Sequence, residues 1–255
     1  MDNTEELPTV LSFCSGYAGI ERGLDLAGIR HRVIAYVEIE AFAIANLVSK
    51  MESGQLDPAP IYTDLKTFPG HLFRDCVDII TGGYPCQPFS AAGKRLGEKD
   101  PRHLWPYVRE HIYTIQPSRV FLENVEGHIS MGLPTVISDL EEDGYGATWG
   151  IFSAREVGAP HQRKRVYIMA DTESQRVQGL RTSGKQEPGA YGEAELPVRQ
   201  SQRPRQANWE PEPRVGRVVD GCADRVDRIR LLGNGVVPQT AAKAWQVLSS
   251  RLEGL

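Results

Sequence analysis

The nine residues Gly82-Gly83-Tyr84-Pro85-Cys86-Gln87-Pro88-Phe89-Ser90 follow directly on a short apolar run, Val77–Thr81. In an open α/β sheet, ligands and reacting groups gather at the carboxyl ends of the strands. A cysteine there, in a loop stiffened by Gly and Pro, is well placed as a nucleophile, whereas structural cysteines usually sit among apolar residues. An isolated Pro-Cys dipeptide would be an ordinary turn; the longer string is far more specific. Phe121-Leu122-Glu123-Asn124-Val125 ends a later β-like run and puts a carboxyl group on the same rim. A thiolate and a carboxylic acid together can run covalent catalysis with proton transfer.

Three further segments gain meaning from that pair. Phe13-Cys14-Ser15-Gly16-Tyr17-Ala18-Gly19 lies between a β-like and an α-like run. Its glycines allow close backbone approach to a ligand beside a helix N-terminus. Glu38 follows 19 residues after Gly19, where an acid can accept hydrogen bonds from ribose hydroxyls. The loop lacks a full GxGxxG, so a pyrophosphate dinucleotide is not indicated. In Pro160-His161-Gln162-Arg163-Lys164-Arg165, the two arginines alternate, which on an extended segment points them to one side. Paired guanidinium groups suit an anionic site, although a basic strand edge facing solvent gives the same pattern. Leu232-Gly233-Asn234-Gly235-Val236-Val237-Pro238 reads locally as a turn entering a final helix.

The elements that must position these groups alternate along the first two thirds. β-like runs at Thr9–Cys14, Arg32–Glu38, Val77–Thr81 and Arg119–Leu122 are separated by helical stretches at Ile20–Ala27, Ala41–Lys50 and Leu104–Gln116. Pro134–Glu142 then reads as a helix, Gly146–Ser153 and Arg165–Ala170 as strands, and Gln239–Leu252 as the last helix. Such alternation predicts a parallel sheet covered on both faces. The pattern breaks at 171–217, where only 10 of 47 residues are apolar or aromatic. That stretch reads as a loop-rich annex, or as a segment that orders on binding.

The 255 residues suffice for one large domain with a small annex. No apolar run approaches the ~18 residues needed to span a bilayer. The N-terminus MDNTEELPTV lacks the order of a signal peptide. The chain therefore reads as soluble and intracellular. Cys14, Cys76, Cys86 and Cys222 include no CxxC pair, a poor basis for disulfides or a metal site. The net charge of −4 hides −9 over residues 1–150 and +5 over residues 151–255, so the last third suits a polyanion better than the rest.

Taken together and in this order, the five segments resemble the cytosine-5 DNA methyltransferase family, most closely its short bacterial and phage branch. The resemblance covers about 9–170 and 225–250. It implies a Rossmann-like class I methyltransferase sheet, with 1–170 plus 225–255 as the catalytic domain and 171–224 as a small target-recognition region, the last assigned by position only. It implies S-adenosylmethionine as methyl donor, double-stranded DNA as substrate and no metal. It further implies a cytoplasmic, monomeric enzyme of a prokaryotic cell or phage, serving restriction–modification or DNA protection beside a cognate endonuclease.

By the same resemblance, Cys86 is the nucleophile, Glu123 holds the flipped cytosine, and Arg163 and Arg165 brace it. Phe13, Ser15, Gly16, Gly19, Ile20, Glu38, Ile39, Asp64, Leu65, Pro85, Leu104, Asn234, Gly235 and Val236 surround the cofactor, with Glu38 on the ribose and Ile39 against the adenine. Gln87 and Ser90 face DNA, and Arg199, Arg203, Arg205, Arg214 and Arg217 are candidates for phosphate or guanine contacts. Trp209 reads as an anchor for the annex. Tyr84 stands where the family usually has Phe, His161 where it often has Gln, and FCSGYAG where it commonly has FAGIGG. Three other readings stay open: a transfer-RNA methyltransferase of the same family, a DNA-binding module without catalysis, and a dinucleotide-dependent oxidoreductase.

Overall fold

In the computed structural model, residues 7–85, 104–172 and 233–254 are described. Within them the chain runs β1 (Thr9–Phe13), α1 (Gly19–Leu26), β2 (Arg32–Val37), α2 (Ala41–Glu52), β3 (Ile61–Tyr62), β4 (Ile79–Gly82), α3 (Trp105–Ile115) and β5 (Arg119–Val125). It continues through α4 (His128–Met131), α5 (Leu133–Glu142), β6 (Gly146–Ser153), β7 (Lys164–Asp171) and α6 (Pro238–Glu253). The described strands form one seven-stranded sheet in the order β3-β2-β1-β4-β5-β7-β6.

The expected parallel pairing holds from β3 through β5. It fails at β7, which is antiparallel to both β5 and β6. The reason is the connection. A parallel neighbour needs a crossover of a dozen or more residues, usually helical. Residues 154–163 instead make a single 3₁₀ turn, Ala154–Val157, opened by a capping box between Ser153 and Glu156 and closed by left-handed Gly158. The chain therefore doubles back along the sheet edge. The result is a Rossmann-like α/β sheet with an antiparallel pair at one edge.

Side chains alternate across the strands and feed two cores. Leu11, Ile80, Val120, Leu122, Val166 and Ile168 face α3 and α5, packing with Val108, Ile112, Val136 and Leu140. Val10, Ile79, Phe121, Tyr167 and Met169 face α1 and α6, packing with Ile20, Leu24, Ala244, Trp245 and Leu248. Trp245 meets Phe121 edge-on at 5.1 Å between ring centres. The final helix is thus part of the core, although more than sixty residues of sequence separate it from β7.

Its approach depends on Gly23. A Cβ there would lie 2.6 Å from the Ala241 methyl and 2.9 Å from the Pro238 carbonyl. A helix-interior alanine would otherwise be favoured over glycine by ~1 kcal/mol. Because the obstacle includes backbone, overpacking should win. Gly23→Ala is expected to destabilise the fold by about 1–2 kcal/mol, read as a lower urea midpoint with unchanged slope.

Candidate active site

The loop from β1 to α1 is wound tightly. Cys14, Gly16 and Ala18 all have positive φ, at 49°, 54° and 63°. Two of the three are not glycine, and each left-handed non-glycine residue costs ~1–2 kcal/mol. Buried Glu38, just past β2, offsets this from outside the loop. Its Oε2 accepts the Gly16 N–H at 2.7 Å and its Oε1 accepts the Glu40 N–H at 2.8 Å. The Ser15 hydroxyl donates to the Ser12 carbonyl at 3.0 Å. Burial and the charge of Glu38 push the Cys14 thiol up to about 12, so it stays protonated and inert.

The C-terminal segment closes over this loop. A Cβ on Gly19 would sit 2.6 Å from the Val236 carbonyl oxygen, and one on Gly235 would fall inside the Tyr17 ring. The Tyr17 hydroxyl donates to the Val236 carbonyl. Together these segments enclose a cleft of about 980 Å³. All fourteen residues expected around the cofactor line it, from Phe13 and Ser15 through Asp64, Leu65, Pro85 and Leu104 to Asn234, Gly235 and Val236. Ile39 is 71% exposed at its mouth. Asp64 lies beside Leu65, whose carbonyl contacts buried His111 Nε2 at 2.7 Å.

Glu123 lines the same cleft, near the carboxyl end of β5. It pairs in register with Tyr167, and Val125 pairs with Arg165. Diagonal neighbours on one face of an antiparallel pair are within reach of long side chains. Arg165 accordingly places Nε 2.9 Å from Glu123 Oε1. That oxygen has the charge contact but no aligned N–H donor, and it is buried. Burial raises the Glu123 carboxyl to about 7, although Arg165 and Arg163 pull it down. Gly83 borders the carboxylate: a Cβ there would lie 3.5 Å from Glu123 Oε2.

The segment before Cys86 is held from three sides. The Tyr84 carbonyl accepts from Asn124 Nδ2 at 3.1 Å, its hydroxyl meets His128 Nε2 at 2.9 Å, and its ring packs on Trp105 at 5.7 Å. Burial lowers His128 to about 4, so it is neutral at physiological pH. The hydroxyl that distinguishes Tyr84 from the usual Phe therefore has a specific partner.

Arg163 departs from the expected geometry. It is left-handed (φ 35°) and precedes β7, so it does not extend a strand with Arg165. Its Nη2 donates to the Gly233 carbonyl at 2.8 Å and also to the Gly235 carbonyl. It thus holds the C-terminal segment while lending charge to Glu123. His161 is exposed. Cys86, Gln87, Ser90, Arg199, Arg203, Arg205, Arg214 and Arg217 lie outside the described residues, as does most of 171–224. The sequence reading missed Glu21, buried at the cleft with Thr81 Oγ1 donating to it at 2.6 Å, and Lys50, whose Nζ donates to the Tyr17 carbonyl at 2.6 Å. Neither stands in a recognisable motif; a charge at the third position of a helix otherwise rich in Gly and Leu was the available signal for Glu21.

Comparison with known proteins now joins the geometry. The family model described as C-5 cytosine-specific DNA methylase matches residues 9–220. The chain belongs to this family. It is 33% identical over 166 residues to the Type II methyltransferase M.NgoMIV of Neisseria gonorrhoeae, covering 64% of this chain and 51% of that protein. It is 35% identical over 164 residues to M.CviJI of Paramecium bursaria Chlorella virus IL3A, covering 63% and 42%. The chain thus spans about half the length, or less, of the curated relatives it matches. The crystal structure of S. pombe Dnmt2 methyltransferase matches with a TM-score of 0.51 at 26% identity, covering 64% of this chain and 50% of that one. A putative DNA modification methyltransferase from an E. coli prophage shares the fold, with a TM-score of 0.52 at 22% identity, covering 66% and 48%. Among the described residues no helix is long and apolar enough to cross a membrane.

The raised Glu123 carboxyl carries a stability prediction. A folded-state value near 7, against an ordinary 4.5, means that the folded chain binds this proton more tightly than the unfolded chain. Its contribution is full below about pH 4.5 and is lost as pH rises through 7. Glu123→Gln, a neutral mimic, should therefore be more stable than the unsubstituted protein at pH 8, by on the order of 3 kcal/mol at most. The two should converge near pH 4.5, and urea unfolding at both pH values measures the difference.

Proposed function

We propose that the protein is an S-adenosylmethionine-dependent DNA (cytosine-5)-methyltransferase that acts on a flipped cytosine in duplex DNA. The observation that carries this is a single cleft lined both by the buried, arginine-paired Glu123 and by the Glu38-tied glycine loop. Family membership and the Type II methyltransferases among the relatives support it, and support a place in restriction–modification.

The cleft suits the cofactor chemically. Carboxylates of Glu21, Glu38, Glu40 and Asp64 line its glycine-loop end, which favours a cationic ligand, and exposed Ile39 offers an apolar face to a planar base. When bound, S-adenosylmethionine supplies an electrophilic methyl group on a sulfonium. Glu38 would accept from the ribose hydroxyls with the lone pairs its backbone partners leave open.

For the target base, the Cys86 thiolate adds to cytosine C6, forming a C–S bond and moving electron density to C5. A Glu123 carboxyl near 7 is partly protonated at neutral pH; it donates to N3 and drains the charge that addition creates. C5 then accepts the methyl group that bound S-adenosylmethionine would supply. Loss of the C5 proton to solvent, expulsion of the Cys86 thiolate and return of the N3 proton to Glu123 restore the ring. Reaching the base requires extrusion from the stack, which costs a few kcal/mol that pocket contacts must offset. Arg165, beside Glu123, braces the base, and the basic residues of 171–224 would supply contacts to DNA.

Two outcomes test this. Incubated with S-adenosylmethionine and unmethylated duplex DNA, the protein should yield 5-methyldeoxycytidine by nucleoside mass spectrometry. Cys86→Ser should abolish the product while binding S-adenosylhomocysteine normally; undiminished turnover would falsify the covalent route. Product on transfer RNA and not on duplex DNA would move the substrate to RNA. Glu38→Ala should raise the cofactor KM by about tenfold or more, as loss of charge-assisted hydrogen bonds predicts, and leave DNA affinity in the absence of cofactor unchanged in a filter-binding assay.

A further inference from the structure

The ring and the hydroxyl of Tyr17 both make contacts that join the glycine loop to the C-terminal segment. The hydroxyl donates to the Val236 carbonyl. The ring fills the space a side chain at Gly235 would need. From the other side, Lys50 Nζ donates to the Tyr17 carbonyl at 2.6 Å and lies 5.1 Å from the centre of the ring. Tyr17 is therefore fixed by α2 at its backbone and grips the C-terminal segment at its tip.

That segment is held a second time from the opposite wall. Arg163 donates to the carbonyls of Gly233 and Gly235. Val236 also reaches toward Gly83, where a Cβ would lie 4.0 Å from Val236 Cγ2 and 3.5 Å from Glu123 Oε2. Val236 thus meets Tyr17 on one side and lies near Gly83, which borders Glu123, on the other. Burial keeps the Tyr17 phenol protonated, raised to about 12, so it remains a donor across the working pH range. An aliphatic residue at this position has no donor to offer the Val236 carbonyl.

We propose that Tyr17 is a positioning residue that latches the Gly233–Val236 segment to the glycine loop and so couples the order of that segment to cofactor binding. The coupling rests on the methyltransferase reading; the latch does not. The latch moves no proton and makes no covalent bond. Its function is to hold two walls of one cleft that come from opposite ends of the chain.

Tyr17→Phe keeps the ring and removes the donor, and Tyr17→Ile removes both. Hydrogen exchange of the ligand-free protein reads the latch directly. In Tyr17→Phe, peptides covering 233–238 should exchange several-fold faster while β5 and β7 are unchanged. Identical exchange at 233–238 would overturn the latch whatever the enzyme's substrate. S-adenosylhomocysteine, followed by calorimetry, reads the coupling. The loss of one hydrogen bond predicts about three- to tenfold weaker binding in Tyr17→Phe and more in Tyr17→Ile. In turnover this should appear as a raised cofactor KM with kcat changed less than twofold. Equal affinity and KM in all three proteins would overturn the coupling. Failure of the unsubstituted protein to bind S-adenosylhomocysteine would instead sink the methyltransferase reading, with hydrogen exchange still deciding the latch. Should Tyr17→Ile fail to fold, Lys50→Met loosens the same latch from α2 and should show the same faster exchange at 233–238.

Discussion

The reversed direction of β7 makes the site possible. Its first residues, not its last, lie beside the carboxyl end of β5, and this brings Arg165 diagonally across from Glu123. In a parallel strand the arginine-bearing end would sit at the opposite rim of the sheet, far from the carboxylate. A buried acid without such a partner would be neutral across the physiological range, because desolvation penalises the charged form. With one guanidinium at 2.9 Å and a second contributing charge, the carboxyl settles near 7 and can both donate and accept a proton. The sheet topology thus sets the chemistry of the acid.

A second constraint concerns close approach. The cleft is walled by segments about 220 residues apart in sequence, the glycine loop and the stretch Asn234–Val236. They touch because Gly19, Gly23 and Gly235 carry no Cβ where backbone or a ring comes within contact distance. The same proximity lets a hydroxyl on one segment bond a carbonyl on the other. Strain in the loop, with Cys14 and Ala18 left-handed, is held in place by Glu38 from the neighbouring strand. Loop, acid and C-terminal segment form one mechanical unit, and Arg163 and Tyr17 fasten its two sides.

The relatives give scale to this core. The chain covers about half of M.NgoMIV and less of M.CviJI, yet the described residues include a seven-stranded sheet, the cleft and the carboxylate. A fold of this kind separates its tasks: the strand ends hold the reacting groups, while recognition of a sequence in DNA needs surface beyond them.

Much of this was legible in the residues themselves. Alternating apolar runs set the strands and helices to within a few residues, because period-2 and period-3.6 burial leave different traces in sequence. The Glu123 triplet and the glycine loop stood out in the sequence, and the fourteen residues expected around a cofactor line one cleft together with Glu123; the string around Cys86 lies largely outside the described residues. Only the folded chain decided the direction of β7, since an apolar run has no polarity and the short return over 154–163 reads like any other loop. It also gave two arginines that sequence spacing had put side by side different partners, Glu123 for Arg165 and the carbonyls of Gly233 and Gly235 for Arg163, because φ at Arg163 is a local choice invisible in composition. The raised Glu123 carboxyl and the grip of Tyr17 on Val236 are likewise tertiary facts. Burial and a partner's position come from residues distant in the chain, and no local pattern records them.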